Sequence, residues 1–295
     1  MQVNIRDVYD NAGEIKEEVT PWLSGHKQQR ALLPNLQLLK QHLSANTDLS
    51  IHEEAQPGLY FSFLGTKPIK TVKDIDSVQI SYQEQNISGH FFIAKNKEHS
   101  LLQVRISPAH LASVLGEKEE QIIQHFTSMR HSLGNENAVI RLPITERTTS
   151  IVQPILSHKG HSISLAGHLY SLMFTLIEQL QMLSHLSQCE DCQSKLFHAQ
   201  NLLEMPEYDA LDIKYLARKV GLNTEALAIG FYLIVGQSIE SYRSRSRIKS
   251  AAALLRQNPA AKPDIVAQSG FSEAQFEAAF IKHFGVSSHQ YEQIH

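Results

Sequence analysis

The chain has 295 residues, of which 42% are hydrophobic, and a formal net charge of −3. That length suits about two domains, and that apolar fraction excludes wholesale disorder. No apolar run approaches the roughly 18 residues of a membrane span, no secretory signal opens the sequence, and two cysteines make no disulfide framework, so a soluble cytoplasmic protein with no membrane partner is expected.

Residues 1–50 predict two short helices, near Gly13–Val19 and near Leu32–Leu43. From Gly58 the texture changes. LYFSFLG, DSVQISYQEQ, GHFFIAK and SLLQVRIS are short runs of β-branched and aromatic residues with turn formers between them, which predicts an antiparallel β-rich half. PAHLASVLG, with Pro108 in its first turn, and EEQIIQHF predict helices, and AVIRLPI one more strand. Residues 162–187 carry the longest apolar helical pattern. Leu169, Leu172, Leu176, Leu180 and Leu183 suit either a helix buried in its own domain or one that dimerises against a second copy, and the two are compatible. The stretch after Gln188 is polar until Leu196 and reads as a linker. The division expected is 1–161, 162–195 and 196–295: sensor or oligomerisation domain, dimer helix with linker, and helical tail. The fold class is α+β.

The tail contains a 49-residue echo. Leu216, Gly221, Leu222, Asn223, Leu227, Phe231, Gly236, Ser238 and Tyr242 return as Ile265, Gly270, Phe271, Ser272, Phe276, Phe280, Gly285, Ser287 and Tyr291. Each copy reads as helix, glycine turn, helix. The glycine supplies a left-handed turn, the Asn or Ser caps the next helix, and two apolar residues at i and i+4 face a core. Two helix-turn-helix motifs in tandem point to a protein that grips DNA twice. Charge is divided to match, weakly: residues 1–205 hold 17 Lys+Arg against 21 Asp+Glu, residues 206–295 hold 10 against 9.

The pattern LARKVGLN…GF…GQS…Y…RI…A…LL…IVAQSGF…F…AF…HFGVSSHQY resembles the DNA-binding domain of AraC/XylS-family transcription regulators over about 90 residues. LARKVGLN with Leu227, Gly230 and Phe231 is most similar to the pyochelin-regulator (PchR-like) branch, as are SLLQVRISPAHLASVLG and AGHLYSLMFTLIEQL. The resemblance implies two recognition helices in successive major grooves, about 34 Å apart. It also implies an amino-terminal sensor, often a small β-barrel, that binds an effector such as a siderophore-like compound. The partners implied are double-stranded promoter DNA, RNA polymerase, the effector and a second copy in a homodimeric activator. Tyr60, Phe61, Phe63, Tyr82, Phe91 and Phe92 are candidates to line the effector pocket, with ordinary core packing as the competing role.

For DNA, Asn223, Thr224 and Ser272 sit at helix starts, where backbone N–H groups attract phosphate. Glu225 and Ala228, with Ile229, occupy the base-facing positions of the first recognition helix; Glu273, Ala274 and Ala278 occupy those of the second. Bidentate purine readout uses Arg, Lys, Asn or Gln, so Gln275 is the nearest candidate reader. Arg243, Arg245, Arg247, Lys249 and Lys282 are candidate phosphate contacts. Ser288 stands where the family commonly has Pro.

These departures keep a rival open: the same fold with faded readout, acting through protein partners. A second rival is a metal- or redox-responsive regulator built on Cys189 and Cys192, a lone CxxC one helical turn after His185, which suits zinc, a thiol switch or two ordinary cysteines. Sixteen scattered histidines form no His-x-His or HExxH pattern. No Walker loop, nucleophile elbow or catalytic Cys-His motif appears, so no enzyme is expected.

Overall fold

A computed structural model describes residues 2–33, 35–133, 139–205 and 212–294. The chain divides after Gln188 into two units.

The first unit contains strands β1 (Gln2–Asn4), β2 (Leu23–Leu33), β3 (Leu36–Ala45), β4 (Leu49–Ala55), β5 (Gly58–Gly65), β6 (Ser77–Gln83), β7 (Ile87–Ile93), β8 (Glu98–Ile106) and β9 (Val139–Leu142). Its helices are α1 (Ile5–Val8), α2 (Pro108–Leu115), α3 (Glu119–Ser132), α4 (Glu146–Leu156) and α5 (Ser162–Gln188). One sheet has the order β2-β3-β8-β5-β6-β9 and the other β1-β4-β7. The β-rich, barrel-like expectation therefore holds, and the sheets begin earlier than Gly58.

Strand alternation gives the large sheet two unlike faces. Leu38, Val104, Phe61, Ile80 and Ile140 stand opposite one another across β3, β8, β5, β6 and β9. This apolar row is covered by helices: Leu38 lies beside Ile155 and Leu165, and Ile80 beside Phe126 of α3. One residue along each strand, Gln37, Arg105, Tyr60 and Ser81 form the neighbouring row on the opposite face. Lys40 ties sheet to helix, its Nζ donating to the carbonyl of Ile155 at 3.2 Å. Between α4 and α5 the buried Gln179 donates to Thr145 Oγ1 and Thr148 Oγ1, at 2.8 and 3.0 Å, so these buried polar groups are satisfied.

The helix expected near Leu32–Leu43 is instead the β2–β3 hairpin, with Leu33 opposite Leu36 and Asn35 at φ 66°. Leucine favours helix weakly; β3 is held on both edges, by β2 and β8, and that pairing overrides propensity. Near Gly13–Val19 only a 3₁₀ turn forms, at Glu17–Val19.

The second unit is helical: α6 (Glu190–Leu203), α7 (Ile213–Val220), α8 (Thr224–Val235), α9 (Ile239–Gln257), α10 (Lys262–Gln268), α11 (Glu273–Phe284) and α12 (Ser288–Ile294). The polar stretch read as linker is the cap and nearly the first two turns of α6. Its Leu196, Ala199, Leu202 and Leu203 join the core of α7 and α8, so the break near residue 195 falls inside a helix.

The echo is structural. Gly221 and Gly270 have φ of 74° and 72°. Asn223 and Ser272 cap α8 and α11. Leu227 and Phe231 are fully buried, as are Phe276 and Phe280. Phe231 meets Tyr242 edge-on at 5.4 Å, and Phe280 meets Tyr291 edge-on at 5.1 Å. Each motif has a core of its own, and α9 runs through both: Ile239 and Tyr242 join the first, Ile248, Ala251, Ala252 and Leu255 the second. Gly230 permits a close crossing, since a Cβ there would lie 2.5 Å from Leu196 Cδ1.

Ser288 is anchored by hydrogen bonds. Its hydroxyl and its backbone N–H, the latter at 3.1 Å, donate to the carboxylate of Glu277, which also pairs with Lys262 at 3.1 Å. Burial pushes the Glu277 carboxyl up, but Ser288 and Lys262 together outweigh it and hold it below its ordinary 4.5. A carboxyl lowered in the folded state adds stability above its unfolded value, and that stability is lost as pH falls through the folded value. Glu277→Gln is therefore expected to cost about 1 kcal/mol at pH 7. In melting scans of both proteins the difference should shrink below pH 4.5; a constant difference down to pH ~3 would contradict the assignment.

Candidate functional site

On α8, Asn223 Oδ1 accepts from the Ala226 N–H at 2.7 Å and is occupied as a cap. Thr224, Glu225 and Ala228 are half-buried, and Ile229 is fully buried. Ile229 is thus not available as a base-facing residue. The freer helix is α11, where Glu273, Ala274, Gln275, Ala278 and Lys282 are exposed and Ile281 is half exposed. Ser272 and Gln275 form a reciprocal cap: the Gln275 N–H donates to Ser272 Oγ at 3.3 Å, and the Ser272 N–H donates to Gln275 Oε1 at 3.0 Å. A bidentate contact to adenine uses both ends of a glutamine amide, so Gln275 would have to leave this cap to make one.

The basic run on α9 splits with the helical period. Arg245 and Lys249, one turn apart, are exposed and lie beside His283 of α11. Burial first, then the charges of Arg245 and Lys249, hold the His283 imidazole below its ordinary 6.5. Arg243 and Arg247 turn inward instead. Arg243 has a buried Nε, and Arg247 lies over the Phe271 ring at 5.8 Å, bracing the second turn. A guanidinium lying on a ring beside the backbone turn has a structural role, which for Arg247 competes with the phosphate contact expected of it. Of the candidate phosphate contacts, Arg245 and Lys249 act together on His283 of α11, and Lys282 precedes that histidine in the chain. His283 was missed from sequence because only the packing of α11 on α9 sets it beside the arginine.

In the first unit, a cavity of about 470 Å³ opens on the polar row of the large sheet. Arg6, Lys27, Gln29, Gln37, Glu53, Glu54, Tyr60, Gln103 and Arg105 are among its lining. Of the six aromatics expected there, only Tyr60 is present; its hydroxyl donates to the Gln56 carbonyl at 2.5 Å. Phe61 and Phe63 alternate to the opposite face, under the helices. Tyr82 faces the same way, beside Ile80 and Phe126. Phe91 packs on the apolar cluster around Leu43 and Ile51, and Phe92 is exposed. The polar inward face was legible only as alternation, a pattern that normally signals a solvated surface.

Leu169, Leu172, Leu176, Leu180 and Leu183 are all buried in the chain, so their dimer-face role is corrected to core packing. Cys189 and Cys192 are joined by a disulfide, and the Cys192 N–H donates to Cys189 Sγ at the start of α6. In this form neither sulfur is the thiolate that ligates zinc. His185 is exposed in the last turn of α5. Among the described residues, no helix is long and apolar enough to cross a membrane.

No protein-family model and no curated protein matches the chain. Among solved structures, the chain is similar to a protein of unknown function from Listeria innocua. The two share 28% identity over 32% of this chain and 95% of the other, with a TM-score of 0.29. ToxT from Vibrio cholerae shares 10% identity over 84% of this chain and 98% of its own, with a TM-score of 0.28. Wild-type ToxT of strain SCE256 bound to an unsaturated fatty acid shares 12% identity over 86% and 94%, with a TM-score of 0.26.

Proposed function

We propose that this protein is a DNA-binding transcription regulator of the AraC/XylS type whose amino-terminal unit takes a small polar effector. The observation that carries the reading is the repeated device in the second unit: two glycine-hinged helix pairs with matched caps, matched buried positions and matched aromatic locks. A pair of such motifs on one continuous helix suits two successive contacts along a duplex. Backbone N–H groups at the starts of α8 and α11, together with Arg245, Lys249 and Lys282, would hold phosphate.

In this reading the partners are promoter DNA, RNA polymerase and a second copy, in the cytoplasm, with activation as the outcome. The five inward leucines of α5 do not supply the dimer face. A siderophore-like effector held by a wall of aromatics fits poorly with a lining in which Tyr60 is the aromatic member, so a hydrophilic effector suits the cavity better. Selection of bound fragments from a random-sequence duplex library tests the main reading. Recovery of a common motif bound at submicromolar Kd is expected, and recovery of unrelated sequences alone would reject it.

A second reading has its own observation. Ile229 is buried, Gln275 is held in a cap, and Glu225, Glu273 and Ala274 offer no base donor. The same fold would then act through a protein partner, with DNA bound only through phosphates. The selection experiment separates the two.

A further inference from the structure

The charges around the cavity of the first unit are not equally satisfied. Arg6 and Glu54 pair with each other. Arg105 donates from Nε and one Nη to the carbonyl of Pro57, at 3.1 and 2.5 Å. Glu53 and Lys27 are different. Among the described residues, neither side chain makes a hydrogen bond or an ion pair; Lys27 Nζ lies over the Tyr9 ring, 5.7 Å from its centre. The two are near enough to interact electrostatically, since burial pushes the Glu53 carboxyl up and Lys27 draws it partly back. They stand on β4 and β2, in different sheets, and both line the same space.

Holding one carboxylate and one ammonium apart in a partly desolvated cleft is costly unless something bridges them. An uncharged polyol would leave both unpaired. A fatty acid would satisfy Lys27 alone and lay its chain against glutamine amides, with only Ile5, Leu39 and Ala55 as apolar lining. A molecule carrying both charges answers both groups, and Gln29, Gln37 and Gln103 can each donate and accept around it. The volume exceeds that of a single amino acid and falls within the ~300–1,000 Å³ of ordinary ligand pockets, which leaves room for a short peptide.

We propose that this cavity binds a small zwitterion, an α-amino acid or short peptide, with its ammonium on Glu53 and its carboxylate on Lys27. The inference deepens the sensor reading of the first unit. Binding itself needs no DNA, so the two readings fail separately.

The test uses the full chain, with calorimetry and thermal melting against the protein amino acids and a set of dipeptides, and with myo-inositol and decanoate as contrasts. At least one zwitterionic probe is expected to bind with Kd of about 1 mM or tighter and to raise the melting temperature. Glu53→Gln and Lys27→Met are each expected to weaken that probe at least about tenfold, and Lys27→Arg to keep it. Glu53→Gln alone, measured without ligand, should melt no lower than the parent, because it removes a half-buried charge that makes no hydrogen bond or ion pair. Failure of every zwitterion, binding that survives both substitutions, or binding of only inositol or decanoate would overturn the proposal. DNA affinity of the same variants, read by fluorescence anisotropy, shows separately whether the second unit is intact.

Discussion

Phe280→Ala is expected to cost about 3–5 kcal/mol and to loosen the last third of the second unit before the rest of it. Phe280 is fully buried, and its ring meets Phe276, Phe284 and Tyr291 at 5.6, 4.7 and 5.1 Å. Truncation removes the transfer energy of the ring and leaves a hole that three aromatic neighbours cannot close without leaving their own contacts. For a domain whose whole stability is about 5–15 kcal/mol, that is a large share, and a fall in melting temperature of roughly 15–30 °C follows. The location of the damage is the sharper part of the prediction. Phe231 holds the equivalent place in a separate core with Leu196, Leu216 and Leu227. Hydrogen exchange on Phe280→Ala should therefore deprotect α10, α11 and α12 while α7 and the start of α8 stay protected. Phe231→Ala should do the reverse. Equal deprotection of both halves in both variants would mean that α9 fuses the two cores into one cooperative body, and the two-core description would fail.

The second large effect concerns binding. Reversing Arg245 and Lys249 together to glutamate is expected to weaken binding to every duplex alike, by about a hundredfold at moderate salt. Both side chains are exposed, they lie on the same turn-spaced face of α9, and both act on His283 of α11. Each phosphate contact removed should also lessen the slope of log affinity against log salt by about one, so the pair lessens it by about two. Reversing Arg247 is expected to act differently. Its guanidinium lies over Phe271, so the loss appears as a lower melting temperature, with the salt slope of the folded fraction unchanged. Salt titrations by anisotropy on the three proteins decide the matter. An unchanged slope in the double variant would remove Arg245 and Lys249 from the interface.

The tandem motifs were readable because their signals are local. A left-handed glycine, a capping Asn or Ser three residues before the N–H it satisfies, and apolar residues at i and i+4 all act within one or two turns of helix. Their return after 49 residues made each copy a check on the other. The β2–β3 hairpin was not readable in this way. Its leucines fit a helix, and what decides against it is pairing with β8, more than fifty residues away in sequence. Arg247 looks the same as Arg245 in a basic run; only the packing of α9 against the turn at Phe271 separates the two.

The amino-acid sequence by itself determined the helix-turn-helix repeat, its caps and turns, and the β-rich character of the first unit, since short-range backbone preferences settle those. The tertiary structure alone decided which face of each strand is wet and which is enclosed. Alternation fixes that Gln37, Tyr60, Ser81 and Arg105 share a side, but only a second sheet across the gap turns that side into a cavity instead of a surface. It likewise decided that Glu53 and Lys27 face one space, because side chains on two separate sheets meet only after both have been placed.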